Sequence, residues 1–472
     1  MAINHGITIT ENPTSFDPPV EAKSGIPIII GTAPVNLTAT PADAYNKAIL
    51  ISNFEEAKSM IGHSTTYASY TICQAIDAYF GKHKVGPGIA INVLDPANDT
   101  TAVADAAVSI VVNKATIAVE GILLASVVVS NAADDTVYDI DDDYTLSFDG
   151  SGHLVIKLVA AGQIVTDVET SLTVDYTKLN PAAITSTEII AGLALIDTIY
   201  QTISEVPGLI IAPGWSHLPA VGQAMIAECV SIGGLFNCTT ILDVDTATVT
   251  AYTGVKTWKD TNLYNDSRAT VCWPMLKTAD GTKYYFSAMQ AALMASVDGA
   301  NDGVPYASPS NKSLNVAGAV LASDTEVFLT ITQANEVNAA GVVTALKMST
   351  WRSWGNYTGG FPEVTDPKDY FISNRRVFDY LGNTFIQIYF DKVDDPLNNR
   401  LIESIVDDEN IRLNGFKALG QLAGARIEYR AEDNPAVNLA AGRLKVRTFL
   451  TPYAPAQDIE NIQEFDISGL TA

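Results

Sequence analysis

The stretch Gly214-Trp-Ser-His217 puts a serine hydroxyl beside an imidazole just after an apolar run, where a nucleophile sits at the end of a strand. Two features argue against acyl transfer there. The second glycine of a nucleophile elbow is missing, and a histidine adjacent in sequence cannot easily turn back onto its own neighbour. Ser216 therefore reads as a capping serine in a turn. Asp139, Asp141 and Asp143 are spaced like the start of a calcium loop. Tyr144 stands where such a loop turns on glycine, and Gly150 where a bidentate glutamate would close it, so a solvated acidic turn is expected. The five histidines are scattered, no glycine loop carries a phosphate-binding lysine, and Cys73, Cys229, Cys238 and Cys272 lack paired short spacings. The expectation is no catalytic residue, no metal and no cofactor, with the cysteines as buried thiols.

Two further groups are weighed as binding surfaces. Trp351, Trp354 and Tyr357 could stack a sugar or a base, but beside Gly355, Gly359 and Gly360 they read as a core lid or subunit contact. Arg400, Arg412, Lys417 and Arg426 belong to the C-terminal region, which holds half of the 28 lysines and arginines beyond Ala345. They form either a solvated face or a docking surface.

Composition narrows the classes. The chain has 472 residues, 47% of them hydrophobic and 17% charged, enough for several folded domains. A formal net charge of -25 argues against nucleic acid as the main partner, because phosphate binding needs a basic surface. The N-terminus lacks a basic region followed by an apolar one, and no apolar run approaches the roughly twenty residues that span a bilayer. Synthesis in the cytoplasm and no direct membrane insertion are expected.

The elements follow from periodicity. Ile26-Pro-Ile-Ile-Ile-Gly31, Ala48 to Ile51 and Ile89 to Leu94 are apolar runs of strand length, with helices after Asn53 and from Thr66 to Phe80 between them. Between Asp95 and Pro181, valine, threonine and aspartate dominate, and Tyr144 to Phe148 with Leu154 to Val159 form a hairpin around Asp149-Gly-Ser-Gly152. Helix, strand and helix resume after the cap Ser186-Thr-Glu188, through a helix from Ile189 to Ile203, Pro207 to Gly214 and a helix from Pro219 to Ile232. Strands Thr239 to Val244 and Ala269 to Trp273 follow. From Gly299 to Ala345 irregular connections are expected. A helix runs from Lys368 to about Phe390, and Asp395-Pro396 opens another. Ala425 to Arg430 and Gly442 to Leu450 close the chain as strands. The fold class is an α/β (α+β) core with an inserted all-β domain and terminal strands exchanged between subunits. Its segments are 1-25, an arm strand and leash; 26-95 and 183-345, the two parts of the core; 96-182, an outward-facing β-domain; 346-441, a helical region; and 442-472, an arm strand and tail.

Five motifs carry a family likeness: His5-Gly-Ile-Thr-Ile-Thr10, Pro207-Gly-Leu-Ile-Ile-Ala-Pro-Gly214, Val271-Cys-Trp-Pro274, Trp354-Gly-Asn-Tyr-Thr358 and Gly442-Arg-Leu-Lys-Val-Arg-Thr-Phe-Leu-Thr-Pro-Tyr-Ala-Pro455. In their order the chain resembles the contractile tail sheath proteins of bacteriophages and of R-type bacteriocin-like injection particles. The resemblance implies a subunit that polymerises helically around an inner tube, between baseplate and tail terminator proteins, and contracts from a metastable extended state. It implies arm strands at Gly6, Ile7, Thr8, Ile9 and Thr10 and at Leu444, Lys445, Val446, Arg447, Thr448, Phe449 and Leu450, added to sheets of neighbouring copies. Arg400, Arg412 and Lys417 would face the tube. Such a subunit is made in a bacterial host's cytoplasm and becomes part of a virion or released particle. The rivals are an α/β enzyme of unknown substrate and an acidic surface-layer protein.

Overall fold

Runs of isoleucine set the main sheet. In the computed structural model, which describes residues 23–165 and 170–467, Pro27–Gly31 (β1) is buried along its whole length. It pairs in parallel with Gly88–Asn92 (β3), itself flanked by the antiparallel edge strand Ala48–Ile51 (β2). A strand covered on both faces needs no polar alternation, which is why these segments read as continuous apolar runs. Between β2 and β3 lie Phe54–Met60 (α1) and Thr71–Ile76 (α2). The Asn53 side chain caps α1 by accepting from the Glu56 N–H at 3.0 Å. The second helix starts five residues later than expected, because Ser69 and Tyr70 donate back to the Thr66 carbonyl in a separate turn.

The valine- and threonine-rich segment forms a sheet of its own. Thr100–Val111 (β4), Lys114–Ile117 (β5), Val128–Asn131 (β6), Tyr144–Phe148 (β7), Leu154–Leu158 (β8) and Ser171–Leu179 (β9) pair in the order β6-β9-β4-β5-β8-β7, antiparallel throughout. Its buried residues, among them Val129, Leu154, Ile156, Leu172 and Val174, form a cluster separate from the main core. The chain enters and leaves at one point, where the Asn180 N–H donates to the Asp99 carbonyl at 2.8 Å.

The main sheet then continues on the other side of β1. Thr185 and Glu188 close a capping box on Ser186–Leu193 (α3), so the cap lies one residue before the expected one. The helix expected through Ile203 is interrupted by a tighter turn at Ala194–Thr198 before Ile199–Ile203 (α4). Leu209–Ile211 (β10), Pro219–Ala227 (α5), Thr239–Asp243 (β11), Val255–Thr261 (α6) and Ala269–Cys272 (β12) extend the parallel array. A small antiparallel sheet of Met275–Lys277 (β13), Lys283–Tyr284 (β14) and Gly318–Val320 (β15) brackets the buried helix Phe286–Gly299 (α7).

Residues 299 to 345 are more ordered than expected. They hold β15, the helix Ile331–Ala339 (α8) and most of Val342–Lys347 (β16), which pairs in parallel with β12. The polar composition hid a helix whose capping box, Thr330 with Gln333, stood in the sequence. Trp351–Trp354 (β17) pairs antiparallel with β16 and completes the order β17-β16-β12-β11-β10-β1-β3-β2, so the division drawn at 345/346 cuts through a hairpin. Beyond it, the extended Phe371 splits the expected helix into Pro367–Tyr370 (α9) and Ile372–Tyr389 (α10). Asn398, rather than Asp395-Pro396, caps Asn399–Ala418 (α11). Leu422–Tyr429 (β18), Ala436–Ala440 (α12) and Val446–Pro452 (β19) complete the chain, β18 and β19 forming a two-stranded antiparallel sheet. Leu413, Phe416, Leu422 and Ile427 join the main core.

Candidate assembly interface

The residues that invited chemistry are used to hold elements together. Ser216 is fully buried, and its hydroxyl donates to Asp243 Oδ2 at 2.8 Å. The same carboxylate accepts from the Ser287 N–H at 2.8 Å and from the Ser287 hydroxyl, tying the end of β11 to the first turn of α7. Burial raises the Asp243 pKa, opposed by these donors. His217 stacks on Tyr285 at 5.7 Å, its Nδ1 has no partner, and burial lowers its pKa, so the serine proton is directed at a carboxylate and away from the imidazole. At the C-terminal ends of β1 and β10, where an open α/β sheet reverses direction and commonly binds ligands, the polar groups are engaged internally. The Thr71 N–H donates to Thr32 Oγ1 at 3.1 Å, and Trp215 Nε1 donates to Thr71 Oγ1 at 3.2 Å.

The acidic turn closes on itself as well. Asp143 is 1% exposed and accepts from the Asp139 N–H at 2.9 Å and the Gln163 N–H at 2.7 Å. Among the described residues no group of three His, Cys, Asp or Glu is placed to hold a metal ion. All four cysteines are buried, and burial pushes the Cys73 thiol up to about 12. Trp351 is buried with its Nε1 donating to the Ala317 carbonyl at 2.7 Å. Tyr357 stacks on Phe361 at 3.9 Å and donates its hydroxyl to Gln457 at 2.6 Å, so the start of the C-terminal tail crosses this aromatic group.

Those of the expected contact residues that are described are not gathered in one place. Gly6, Ile7, Thr8, Ile9 and Thr10 lie outside the described residues. Leu444 and Lys445 precede β19, and Val446, Arg447, Thr448, Phe449 and Leu450 lie on it, paired along one edge with β18 of the same chain. Arg400 and Lys417 are exposed near opposite ends of α11. At about 100° per residue, Arg400, Arg412 and Lys417 point in three directions. Arg412 differs from its expected role as a surface cation. Its side chain is 9% exposed and its guanidinium donates to both carboxylate oxygens of the buried Glu409, at 3.0 and 2.7 Å. Glu403, Asp407 and Asp408 are exposed on the same helix, which makes its outer side mixed in sign.

The basic cluster lies instead on the outer face of the β18/β19 sheet. Arg426 and Arg430 sit over the Phe449 ring at 4.1 and 5.2 Å, and Arg426 pairs with Glu428 at 2.6 Å. Arg447 is held by Asp433. On the inner face Ala425, Val446 and Leu450 pack against the main core. From Tyr453 to Asp466 the chain forms no helix or strand, and Ile459, Ile462 and Phe465 are 84%, 76% and 83% exposed. Sequence reasoning did not find Asn410 or Asn434, whose side chains bond to the backbone of this sheet: a lone asparagine in a helix or loop carries no signal of that role.

The geometry is an α/β body carrying a small two-stranded sheet and an acidic tail. No family model matches the chain. It is 27% identical to the tail sheath protein of Burkholderia phage BcepMu over 97% of its own length and 96% of the relative's. Among solved structures, a chain of the anti-feeding prophage baseplate superposes with a TM-score of 0.60 at 14% identity, over 99% of this chain and 100% of that one. A chain of the contracted sheath complex of an extracellular contractile injection system gives 0.59 at 14% identity, over 98% and 100%. The fold is the sheath fold. A tail sheath protein thus aligns with the chain from end to end.

Proposed function

We propose that the chain polymerises helically around an inner tube, is stored in an extended state, and contracts to drive the tube through a target envelope. The observation that carries this reading is the C-terminal tail, which leaves the body with Ile459, Ile462 and Phe465 uncovered. Each such side chain forgoes about 1.5–3 kcal/mol of burial until another surface covers it, and in a homopolymer every copy supplies that surface to the next. The terminal strands, Gly6 to Thr10 and the chain from Leu444 onward, keep copies connected by strand addition while the bodies move. No nucleotide is consumed: many copies each release a small free energy on reaching the better-packed state.

The segment 96–182 is the outward-facing inserted domain in this reading, supported by its separate core and its excess of acidic residues. The C-terminal region faces the tube. Arg400 and Lys417, being exposed, suit screened contacts with an acidic tube surface that must let go; Arg412, paired to Glu409, does not. The baseplate and a tail terminator bound the polymer, and assembly takes place in the cytoplasm of a bacterial host.

Electron microscopy of the purified chain, alone and with its tube partner, tests the reading directly. Hollow tubular polymers are expected, and deletion of residues 1–12 should abolish them while leaving the circular dichroism spectrum unchanged. Small closed oligomers under all conditions would return the α/β-enzyme reading.

A further inference from the structure

Two of the buried cysteines face each other. Cys229 follows α5, Cys238 precedes β11, and residues 230–237 fold back between them as a small hairpin. Its rung is Ile232 with Phe236, each donating its N–H to the other's carbonyl, at 2.8 and 3.0 Å. At its base the Cys238 N–H donates to the Cys229 carbonyl at 3.0 Å. An opposed, hydrogen-bonded pair of this kind sets its Cα atoms about 5.5 Å apart, inside the roughly 4.4–6.8 Å that a disulfide spans. The Cys238 thiol is within hydrogen-bonding reach of the Cys229 thiol, which also donates to the Met225 carbonyl at 3.2 Å. Cys73 and Cys272 are placed differently. The Ser64 N–H donates to Cys73 Sγ at 3.4 Å, and Cys272 lies opposite Asp243 in the register of β11 and β12.

Burial keeps this pair quiet. Both residues are at most 1% exposed, and burial, then the neighbouring Cys238 thiol, holds the Cys229 pKa well above that of an ordinary thiol. Arg268 opposes them. It donates to the Cys238 carbonyl at 3.2 Å and pairs with Asp379, so a cation stands beside a thiolate formed there. The hairpin is the cover. Val230, Ser231, Gly233 and Gly234 are exposed, and the last three have positive φ. It is tied down by the Gly233 N–H on Asp197 Oδ1 at 2.8 Å and by Asn237, whose backbone N–H and carbonyl bond the Asn383 side chain at 2.9 and 2.7 Å. A local opening of residues 230–237 frees both thiols at once and leaves α5 and β11 in place.

We infer that Cys229 and Cys238 are a redox-active pair: thiols in a reducing cytoplasm, they close to a disulfide when the hairpin opens to a small-molecule disulfide, stapling the end of α5 to the start of β11. One cysteine, as thiolate, attacks the small disulfide and expels one of its halves as a thiolate. The second cysteine then attacks the protein sulfur of that mixed disulfide and expels the other half. The two protein thiols lose two electrons, the small disulfide is reduced to two thiols, and the protons given up by the cysteines end on them. The occasion rests on the polymerising reading, in which the chain passes from a cytoplasm into a released particle; the chemistry does not. Because Asn237 binds Asn383 of α10, the staple also stiffens the seat of that helix.

Oxidised glutathione is the probe. The purified full chain, incubated folded with it and then denatured for thiol counting, should fall from four free thiols to two. Peptide mapping by mass spectrometry should find one internal crosslink, between Cys229 and Cys238. The oxidised chain should melt a few degrees above the reduced one and return to the lower value with dithiothreitol. Cys238→Ser should form no internal crosslink, and its Tm should not rise with the oxidant. The wild-type thiol count decides by itself even if Cys238→Ser does not fold. Four thiols surviving in the folded chain, a crosslink through Cys73 or Cys272, or glutathione retained at Cys229 without closure overturns the inference, and so does a crosslink that lowers Tm. The count is read on the free subunit. A chain that crosslinks but forms no tubes therefore counts against the polymerising reading alone, and one that forms tubes with four thiols intact against this inference alone.

Discussion

At the scale of single residues, asparagine recurs as a substitute for backbone. Besides Asn410, Asn434 accepts from the Lys445 N–H at 2.7 Å and donates to the Lys445 carbonyl at 2.8 Å, where β18 has ended and β19 is about to begin. Asn383 on α10 does the same for Asn237, at 2.9 and 2.7 Å. Each pair satisfies a donor and an acceptor outside regular pairing, and each is invisible in a sequence because its partner is distant along the chain. The buried histidines are a second residue-scale feature, with a measurable consequence. His83 Nε2 is buried without a partner, and burial pushes the pKa down to about 4 from an ordinary 6.5. Between these values the unfolded chain binds a proton that the folded chain refuses. The stabilisation is therefore complete above about pH 6.5 and lost as the pH falls toward 4, by at most about 3 kcal/mol. Burial lowers the pKa of His63 and His217 too, so they steepen the same acid limb. Thermal unfolding between pH 7 and pH 4.5 should show Tm falling with acidity, and His83→Gln should make the slope shallower. An equal slope in the variant would show that His83 does not titrate in that window.

At the scale of elements, one buried ion pair joins three of them. Arg376 of α10 donates to both carboxylate oxygens of Asp298 at the end of α7, and its Nη2 also donates to the Ser24 carbonyl at 2.9 Å, three residues before β1. The Ser24 hydroxyl completes the network on Asp298 Oδ2 at 3.0 Å and the Gly303 carbonyl at 2.6 Å. Both charged side chains are under 5% exposed, so removing one leaves the other uncompensated in the interior. Arg376→Met should lower stability by about 3–5 kcal/mol in urea unfolding, and Asp298→Leu added to it should recover much of the loss. Equal losses in the single and double variants would mean that the guanidinium matters for packing alone. This joint lies just ahead of β1, and nothing in the spacing of Ser24, Asp298 and Arg376 announces it. What was legible in the sequence was local. The isoleucine runs of β1 and β3, the Asn53 cap and the Asp149-Gly-Ser-Gly152 turn specify their structure within a few residues. Where an element depends on distant packing, local signals misled: Lys368 to Phe390 reads as one helix, but Phe371 turns extended to bridge Tyr357, and the polar α8 is held against β16 despite its composition. Near the C-terminus, β19 was legible as alternation, while the basic face was placed on α11 because charge counts along a chain do not say which cations find partners. Arg412 found Glu409, and the clustered arginines came from β18, its following residue and β19.

At the scale of the whole molecule, two cores are joined through a narrow neck. The β4–β9 sheet shuts its own apolar cluster and meets the main body where Leu123 and Leu179 pack into the main core, beside polar contacts such as Asn36 Nδ2 to the Ile122 carbonyl at 3.2 Å and the Ser64 hydroxyl to Glu120 at 2.8 Å. Entry and exit are already paired at Asp99 and Asn180, so a short turn can replace everything between them without moving either end. The segment from Thr100 to Leu179 holds twelve aspartates and glutamates against three lysines, so removing it takes nine units from a net charge of -25. If this sheet is an outward appendage, a chain in which a Gly-Ser turn joins residues 99 and 180 should fold, lose far less stability than a core deletion, and form tubes of smaller outer diameter. Because like charges on neighbouring copies repel, those tubes should also form at lower salt than the full chain requires. Folded subunits of the shortened chain that never polymerise would place the β-sheet between copies, as part of the lattice. Electron micrographs of the two chains side by side, across a salt series, decide between a lattice component and a coat on the outside of one.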